Sequence, residues 1–409
     1  LKLLILTQYF PPEVGAPQNR LFELALRLKS NGVEVTVLTA FPNYPQMQIY
    51  KGYEGKNYMF EEMQGLKVHR ASIYVSKSRS IISRLRNYFS FVRSSVKVGK
   101  KHLEENYDYL MCESPPLFLG YSAMSLAKSK KAKLIFNVSD LWPESAEKLG
   151  VVNNKFLLKM AYNLEAKLYK RSALVTGQTQ GICKSINTRF PSVKTYWLPN
   201  GVDLDFYDPA KVEASKWRTQ NNIQQDDFIV LYAGIIGIAQ GLDVILKAAA
   251  QLNDKPAVKF VLLGNGPEKE RLMQLKTQMQ LSNVLFIEGV SKNEMRGVLK
   301  EVNAAVIPLR KLDLFLGAIP SKIFENLAMK IPVLLGVDGE ARELFVNQGK
   351  CALYVEPENE KDLASKVSEL FDDKALQKQL GEAGRAYVLQ NFNRDTIAAG
   401  FYKRMLELK

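Results

Sequence analysis

Residues 2–39, KLLILTQYFPPEVGAPQNRLFELALRLKSNGVEVTVLT, decide the fold class. An apolar run at 3–6 reads as a strand and gives way to a Pro-rich loop. Leu21, Phe22, Leu24, Ala25 and Leu28 then recur at helical spacing. Asn31-Gly32 offers the left-handed stop that ends a helix, and residues 33–38 form the next apolar strand. Strand, helix and strand in that order make a βαβ unit, which predicts a parallel sheet. YLMCES (109–114) and KLIFNVSD (133–140) repeat the theme, each an apolar strand ending in polar residues. Open α/β sheets bind ligands at that end of their strands.

The theme continues beyond WLPNGVDLDFYDP (197–209), a turn-rich joint. FIVLYAGIIG, VKFVLLGNGP, NVLFIEGV, AAVIPL and IPVLLGV read as five further strands with helical segments between them. At 409 residues the chain is too long for one ordinary core. The expected fold class is therefore α/β, with two Rossmann-like doubly wound parallel-sheet domains. The expected boundaries are 1–198 and 204–389, joined by a linker at 199–203.

A nicotinamide reading fails at the first turn. TQYFPPEVGAP follows strand one where Gly-x-Gly-x-x-Gly would stand, and the second strand ends Leu38-Thr39-Ala40 with no acid for a ribose. Gly264 and Gly266 in GNGPEKE are by themselves a weak signal. Three scattered cysteines (Cys112, Cys183 and Cys351) and two histidines (His69 and His102) argue against a structural zinc site and suggest a reducing compartment. Residues 1–7 already read as a strand, so no cleavable leader is expected there, and no apolar run reaches the roughly 18 residues of a membrane span. Charge is uneven: residues 1–200 carry 29 Lys+Arg against 14 Asp+Glu, and residues 201–409 carry 27 against 28. The first half is built to meet an anion.

GAIPSKIFENLAMKIPVL (317–334) predicts a helix from Ser321 to Pro332, with Ser321 as its N-cap. Ile323, Phe324, Leu327, Ala328 and Ile331 form its buried stripe. Glu325 falls one residue late for a capping box. A helix start attracts phosphate through free N–H groups, Lys322 adds a charge, and Glu325 can accept bonds from sugar hydroxyls. Together they suit a nucleoside diphosphate; the competing role is plain helix punctuation.

At this point the chain resembles a family. LPNGVD, YAGIIGIAQGLDVILKA, LLGNGPEKERL and PSKIFENLAMKIPVL stand in the order and spacing of the retaining family four glycosyltransferases of GT-B fold. QYFPPEVGAPQNRLFELA, FPNYP and DLWPESA are similar to a branch of bacterial surface-polysaccharide enzymes, including N-acetylfucosamine-type transferases. The resemblance implies two domains facing a cleft, a donor domain at the C-terminal side, and a last helix near 390–409 returning to the first domain. It places Glu325 at the ribose, Ser321 and Lys322 at the diphosphate, Gly264, Gly266, Gly289 and Val290 near the base, and Gly15 and Gly237 in glycine loops beside the donor.

Three departures from the family pattern stand out. The first Glu of the Glu-x7-Glu motif is Gly317 here. The usual basic pair is replaced by Ile235 or Ile236 and Gln240, which leaves Lys322 and Arg310 to carry the diphosphate charge. The His common after the fourth-strand region is absent, and Asn137-Val138-Ser139-Asp140 stands there. Asp140 becomes the candidate for positioning the acceptor or polarising the sugar, with capping of Leu141-Trp142-Pro143 as the competing role. Glu113 and Glu144 rank behind it, as solvated or capping acids, and His69 reads as a strand residue. No Asp-x-Asp follows a donor-domain strand, so neither a metal nor another cofactor is expected.

The resemblance implies transfer of a sugar, UDP-linked in the first instance, to a lipid-linked or polysaccharide acceptor. The rivals are a nucleotide-sugar epimerase of the same fold and a non-catalytic sugar-nucleotide-binding subunit. Residues 67–101 hold ten Lys or Arg and no acid. Ile81, Ile82, Leu85, Tyr88, Phe89, Val92 and Val96 share a helical face there, with Arg86, Arg93, Lys97, Lys100 and Lys101 along its border. This pattern predicts a cytoplasmic enzyme held peripherally at an anionic membrane surface, and no nucleic-acid partner.

Overall fold

The computed structural model describes residues 1–408 apart from Val14, Arg79, Leu149, Val151 and Ala214; Arg79, counted in the basic run, lies outside the described residues. The chain divides into two compact units, Leu1–Asn200 with Arg394–Lys409, and Gly201–Asn393.

The first unit contains β1 (Lys2–Leu6), α1 (Ala16–Ser30), β2 (Glu34–Ala40), β3 (Tyr58–Met63), β4 (Leu66–Ala71), α2 (Ile81–His102) and β5 (Tyr109–Ser114). It continues with α3 (Gly120–Ser129), β6 (Lys133–Val138), α4 (Glu144–Lys148), α5 (Lys155–Arg171), β7 (Leu174–Gly177), α6 (Gln180–Arg189) and β8 (Thr195–Trp197). The strands form one sheet in the order β3-β4-β2-β1-β5-β6-β7-β8. All pairs are parallel except β3 with β4. That hairpin turns at Gln64 (φ 50°) and Gly65 (φ 74°), both in the left-handed region a tight two-residue connection requires. One face buries Leu4, Leu38, Leu110 and Phe136 beneath α2, α3, α5 and α6. The other buries Ile5, Val37 and Met111 beneath α1 and the C-terminal helix.

The second unit contains α7 (Trp217–Gln220), β9 (Phe228–Ala233), α8 (Asp243–Gln251), β10 (Val258–Leu263), α9 (Lys269–Gln278), β11 (Val284–Ile287), α10 (Lys292–Lys300) and β12 (Ala304–Pro308). After these come α11 (Lys322–Ala328), β13 (Val333–Gly336), α12 (Glu340–Arg342), β14 (Ala352–Tyr354), α13 (Glu360–Asp372) and α14 (Lys374–Asn391). Its sheet is wholly parallel, in the order β11-β10-β9-β12-β13-β14. This is the doubly wound arrangement, and the order reverses between β9 and β12, where such sheets open a crevice at their strand ends.

The last helix, α15, runs Arg394–Glu407, later than position 390, because α14 continues to Asn391. It belongs to the first unit. Ala398, Phe401 and Met405 are buried there, Tyr109 Oη donates to the Met405 carbonyl at 2.7 Å, and Arg27 Nε reaches Asp395 at 2.6 Å.

Two further expectations need correction. Helix α11 stops at Ala328, well before Pro332, and Lys330 turns the chain at φ 61°. Ser321 does not cap it. The Pro320 carbonyl already accepts from Ile323 N–H and the Ser321 carbonyl from Phe324 N–H, so Ser321 lies inside the turn with helical dihedrals (φ −59°, ψ −28°) and makes no side-chain cap bond. A capping serine needs extended backbone. The buried stripe holds as expected, with Ile323, Phe324, Leu327, Ala328 and Ile331 all in the interior. Phe324 packs on Phe392 at 4.9 Å and Phe345 at 5.6 Å. Burying one such ring stabilises a domain by about 1.5–3 kcal/mol, enough to fix the start of α11 against the sheet.

Candidate functional site

The strand ends of the second unit gather most of the predicted residues. Gly237 lies in the loop after β9, Gly264 and Gly266 after β10, Gly289 and Val290 after β11, Arg310 after β12, and Ser321, Lys322 and Glu325 at the start of α11. The loops approach one another backbone to backbone. Gly264 N–H donates to the Ile287 carbonyl at 2.9 Å, Gly234 N–H to Leu263 at 2.9 Å, and Ile236 N–H to Asn265 at 2.9 Å. Gly264 sits at φ 145°, and a methyl group on it would stand 2.0 Å from the Gly234 carbonyl oxygen. One on Gly266 would stand 2.3 Å from that of Ile236. These two positions need glycine for close approach.

Lys322 carries the electrostatics. The residue as a whole is half-buried, yet its amine lies deep among protein atoms, with Nζ 4.0 Å from the centre of the Tyr232 ring. A methyl group on Gly234 would stand 2.8 Å from that Nζ, so Gly234 leaves the room the amine occupies. Desolvation lowers the Lys322 pKa to about 8, and the nearby Glu325 carboxylate partly opposes the shift. Tyr232 Oη donates to the Ile235 carbonyl at 2.5 Å, which holds the ring in place. Arg310 is half-buried over Gly241, its N–H donates to Ala239 at 3.0 Å, and its buried Nε has no hydrogen-bond partner among the described residues. Glu325 is half-buried beside the apolar stripe. The unit thus presents, at its switch point, a desolvated ammonium and a buried guanidinium nitrogen, each suited to an anion.

Gly15 and Asp140 belong to the first unit, in the loop after β1 and directly after β6. Gly15 precedes α1 in extended backbone, and the atoms nearest a side chain there belong to the flexible end of Gln18. Asp140 is exposed on one side, while the crowding of protein on the other pushes its carboxyl above the ordinary value. It accepts from Ser145 Oγ at 2.8 Å and from the Leu141 N–H, so it anchors the start of α4.

Glu113 is neither solvated nor a cap. It is buried, with Arg20 Nη2 at 2.7 Å, Asn137 Nδ2 at 2.5 Å and Ser139 Oγ also bonded to it, while Thr176 Oγ1 holds Asn137 at 2.5 Å. Glu144 pairs with Lys148 at 2.7 Å. His69 is a β4 residue, accepting or donating at Nδ1 to Tyr58 Oη at 3.0 Å. The sequence reading missed Tyr232 and Gly234; their signal is a buried aromatic ending a strand just before the first glycine of a Gly-rich loop.

These two units, one sheet wholly parallel and the other parallel but for its edge strand β3, each covered by helices, are those of a GT-B glycosyltransferase. Residues 18–206 match the family Glycosyltransferase Family 4, and residues 213–387 match Glycosyl transferases group 1. The chain belongs to this group 1/family 4 class and is a glycosyltransferase. It is 25% identical over 413 residues, 98% of each chain, to WcaI of Escherichia coli strain K12, assigned as a glycosyl transferase of colanic acid biosynthesis. Over about half of its length it is 26% identical to a GDP-mannose-dependent phosphatidylinositol monomannoside mannosyltransferase of Mycobacterium tuberculosis. Among solved structures it is similar to sucrose-phosphate synthase from Thermosynechococcus elongatus (TM-score 0.76, 17% identity, all of both chains). It is also similar to Anabaena HepE in complex with UDP-glucose (TM-score 0.73, 17% identity, 99% of both chains).

Proposed function

We propose that the chain transfers a sugar, with retention, from a UDP-linked donor to a lipid-linked or polysaccharide acceptor in cell-surface polysaccharide synthesis. The carrying observation is the buried Lys322 amine at the β9/β12 switch point, an ammonium that an anionic diphosphate would compensate. WcaI points to surface polysaccharide, the mycobacterial relatives to a glycolipid acceptor, and HepE to a uridine nucleotide. N-acetylfucosamine-type sugars are within the range this reading covers.

In this reading Lys322 and Arg310 stabilise the leaving diphosphate as its charge develops. The glycine loops at 237, 264, 266 and 289–290 admit the nucleotide to the backbone, with Ser321 beside the phosphates. Glu325 accepts from the ribose. The two cations take the role a metal would otherwise fill, so transfer needs none. Asp140 positions the acceptor or polarises the sugar. Retention follows from front-face attack, in which a donor phosphate oxygen takes the acceptor proton and no histidine base is required. The test is a thermal-shift screen of UDP-, GDP-, ADP- and dTDP-sugars. UDP-sugars should raise the melting temperature most; a larger shift with GDP-sugars would overturn the UDP assignment.

Glu325→Ala is expected to weaken UDP binding by about 1–3 kcal/mol, the loss of charge-assisted hydrogen bonds. It should leave the fold intact, because the side chain lies outside the buried stripe. Calorimetry with UDP and 2′,3′-dideoxy-UDP separates the causes: the variant should lose its preference for the ribose hydroxyls, and an undiminished preference would refute the ribose role.

Membrane attachment belongs to the same reading. Among the described residues no helix is long and apolar enough to cross a membrane. Helix α2 instead offers a surface, with Ile81 (52%), Ile82 (67%) and Phe89 (45%) exposed beside exposed Arg86, Arg93, Lys97, Lys100 and Lys101. Arg70, part of the same basic run, does not contribute. It is wholly buried, bonded to Glu61 and to the Ala40 carbonyl.

A further inference from the structure

The net positive charge of the first 200 residues has a second concentration, far along the chain from α2's exposed start. Crossover helices run antiparallel to the strands they connect, so their C-termini collect at the edge where the parallel strands begin. Cations favour helix C-termini, and α3 ends with Lys128 in its last turn and α5 with Lys170 and Arg171. The beginnings of β6 and β7, the α6–β8 loop and the end of α15 meet them there. Between these elements is an open cavity of about 960 Å³. It lies at the end of β6 opposite Ser139 and Asp140.

Helix-end chemistry accounts for single cations, but not for the composition of this cavity. Its rim carries Lys128, Lys131, Lys133, Lys170, Arg171 and Lys194, all exposed. The one carboxylate among the described lining residues is Glu407, already engaged by Arg404 at 2.8 Å. The floor is apolar: Ala127, Leu134, Tyr169 and Val193 line it and are themselves buried. The Tyr169 hydroxyl is turned to Glu165 at 2.9 Å, so it adds no free polar group to that floor. A cationic rim selects an anion, and an apolar floor beneath it selects one with a hydrocarbon portion. A polynucleotide would want exposed rings to stack on, and the rim offers none among its described residues.

We infer that this cavity is a binding site for a phosphate-headed, single-chain lipid, with the headgroup among the six cations and the chain over Leu134 and Val193. It is separate from the donor site and from the α2 surface, and does not depend on either. The probe is dodecyl phosphate, titrated calorimetrically below its micelle concentration into the full chain, with dodecylphosphocholine and inorganic pyrophosphate as comparisons. Dodecyl phosphate should bind one per chain and about tenfold or more tighter than either comparison. The triple variant Lys128→Glu, Lys170→Glu, Lys194→Glu should lose about a hundredfold in that affinity, as expected for several cations acting near phosphate. The milder Lys128→Ser, Lys194→Ser should lose about tenfold, which keeps the test sound should the triple reversal disturb folding. Reversing Lys374 and Lys378, exposed on α14 of the second unit, should leave dodecyl phosphate binding unchanged. Equal affinity for dodecylphosphocholine would show a merely apolar contact, and equal affinity for pyrophosphate a site for free polyanions. Either result, or undiminished binding in both cavity variants, overturns the inference.

Discussion

Lys322→Gln is expected to weaken UDP binding about a hundredfold and uridine binding hardly at all. The reason lies in what surrounds the amine. It is embedded over the Tyr232 ring, its desolvation is opposed only in part by Glu325, and its pKa falls to about 8. A diphosphate arriving there gains a charge-assisted bond worth about 2–3 kcal/mol, and uridine carries no group to make it. The same burial predicts that the ligand-free variant melts no earlier than the parent, since an incompletely compensated charge has been removed from a desolvated position. Equal losses for UDP and uridine, or a markedly lower melting temperature, would show that Lys322 supports the fold and does not hold the ligand.

The pH dependence has a definite sign. In the free protein Lys322 is an ammonium below about pH 8 and neutral above it. A bound diphosphate favours the ammonium, so the pKa in the complex is higher and binding takes up a proton once the free amine is neutral. Affinity should therefore be flat near pH 7 and fall as pH rises through about 8, by about tenfold per pH unit until the complex itself titrates. Lys322→Gln should flatten that profile. The stability of the free protein moves the other way, rising with pH between about 8 and the unfolded lysine value, because the unfolded chain then holds the extra proton.

Much of this was legible from residue pattern, and the exceptions have physical causes. Residues 2–39 announced a parallel sheet because helical and strand periods alternate there without ambiguity, and β1, α1 and β2 form as read. Strands β8 and β14 escaped because they are three residues long, too short for a period to show. The β3–β4 hairpin turns on Gln64-Gly65, a weaker signal than Asn-Gly or Asp-Gly. Ser321 looked like a cap, but the preceding proline carbonyl had already opened the helical turn.

At the site, sequence could place Lys322, Glu325 and the glycines on one sheet edge. It could not show that the lysine folds over Tyr232, since that contact joins residues ninety positions apart through strand order alone. Nor could it show that Glu113 is consumed by Arg20, Asn137 and Ser139, which come from α1, β6 and the loop after it.

Simultaneous reversal of Arg86, Arg93, Lys97 and Lys100 to Glu is expected to reduce partitioning onto anionic vesicles by about three orders of magnitude or more. Helix α2 is oriented for such contact. It turns Ser83, Asn87, Phe91, Ser95, Val98 and Gly99 inward, a face of mostly small residues, and keeps Ile81, Ile82 and Phe89 at the surface. Leu85, Tyr88, Val92 and Val96 are half-buried between the two faces. Phe89 extends the apolar surface by leaning on Phe118 at 5.1 Å and Tyr121 at 6.5 Å, and Phe118 in turn meets Trp142 at 5.6 Å. An apolar strip that merely completed the core would be covered, and this one is open at its N-terminal end. Each basic residue near an anionic surface contributes about 1 kcal/mol, so four account for most of the attraction and their reversal adds repulsion. Binding should also fade from about 0.1 M to about 1 M salt, as the screening length drops from about 10 Å to about 3 Å. Ile82→Asp, at a position 67% exposed, should weaken attachment on its own by removing the most exposed apolar group of α2. Co-sedimentation with anionic and neutral vesicles reads all three effects. Attachment that ignores lipid charge, or that survives the fourfold reversal, would overturn membrane attachment through α2.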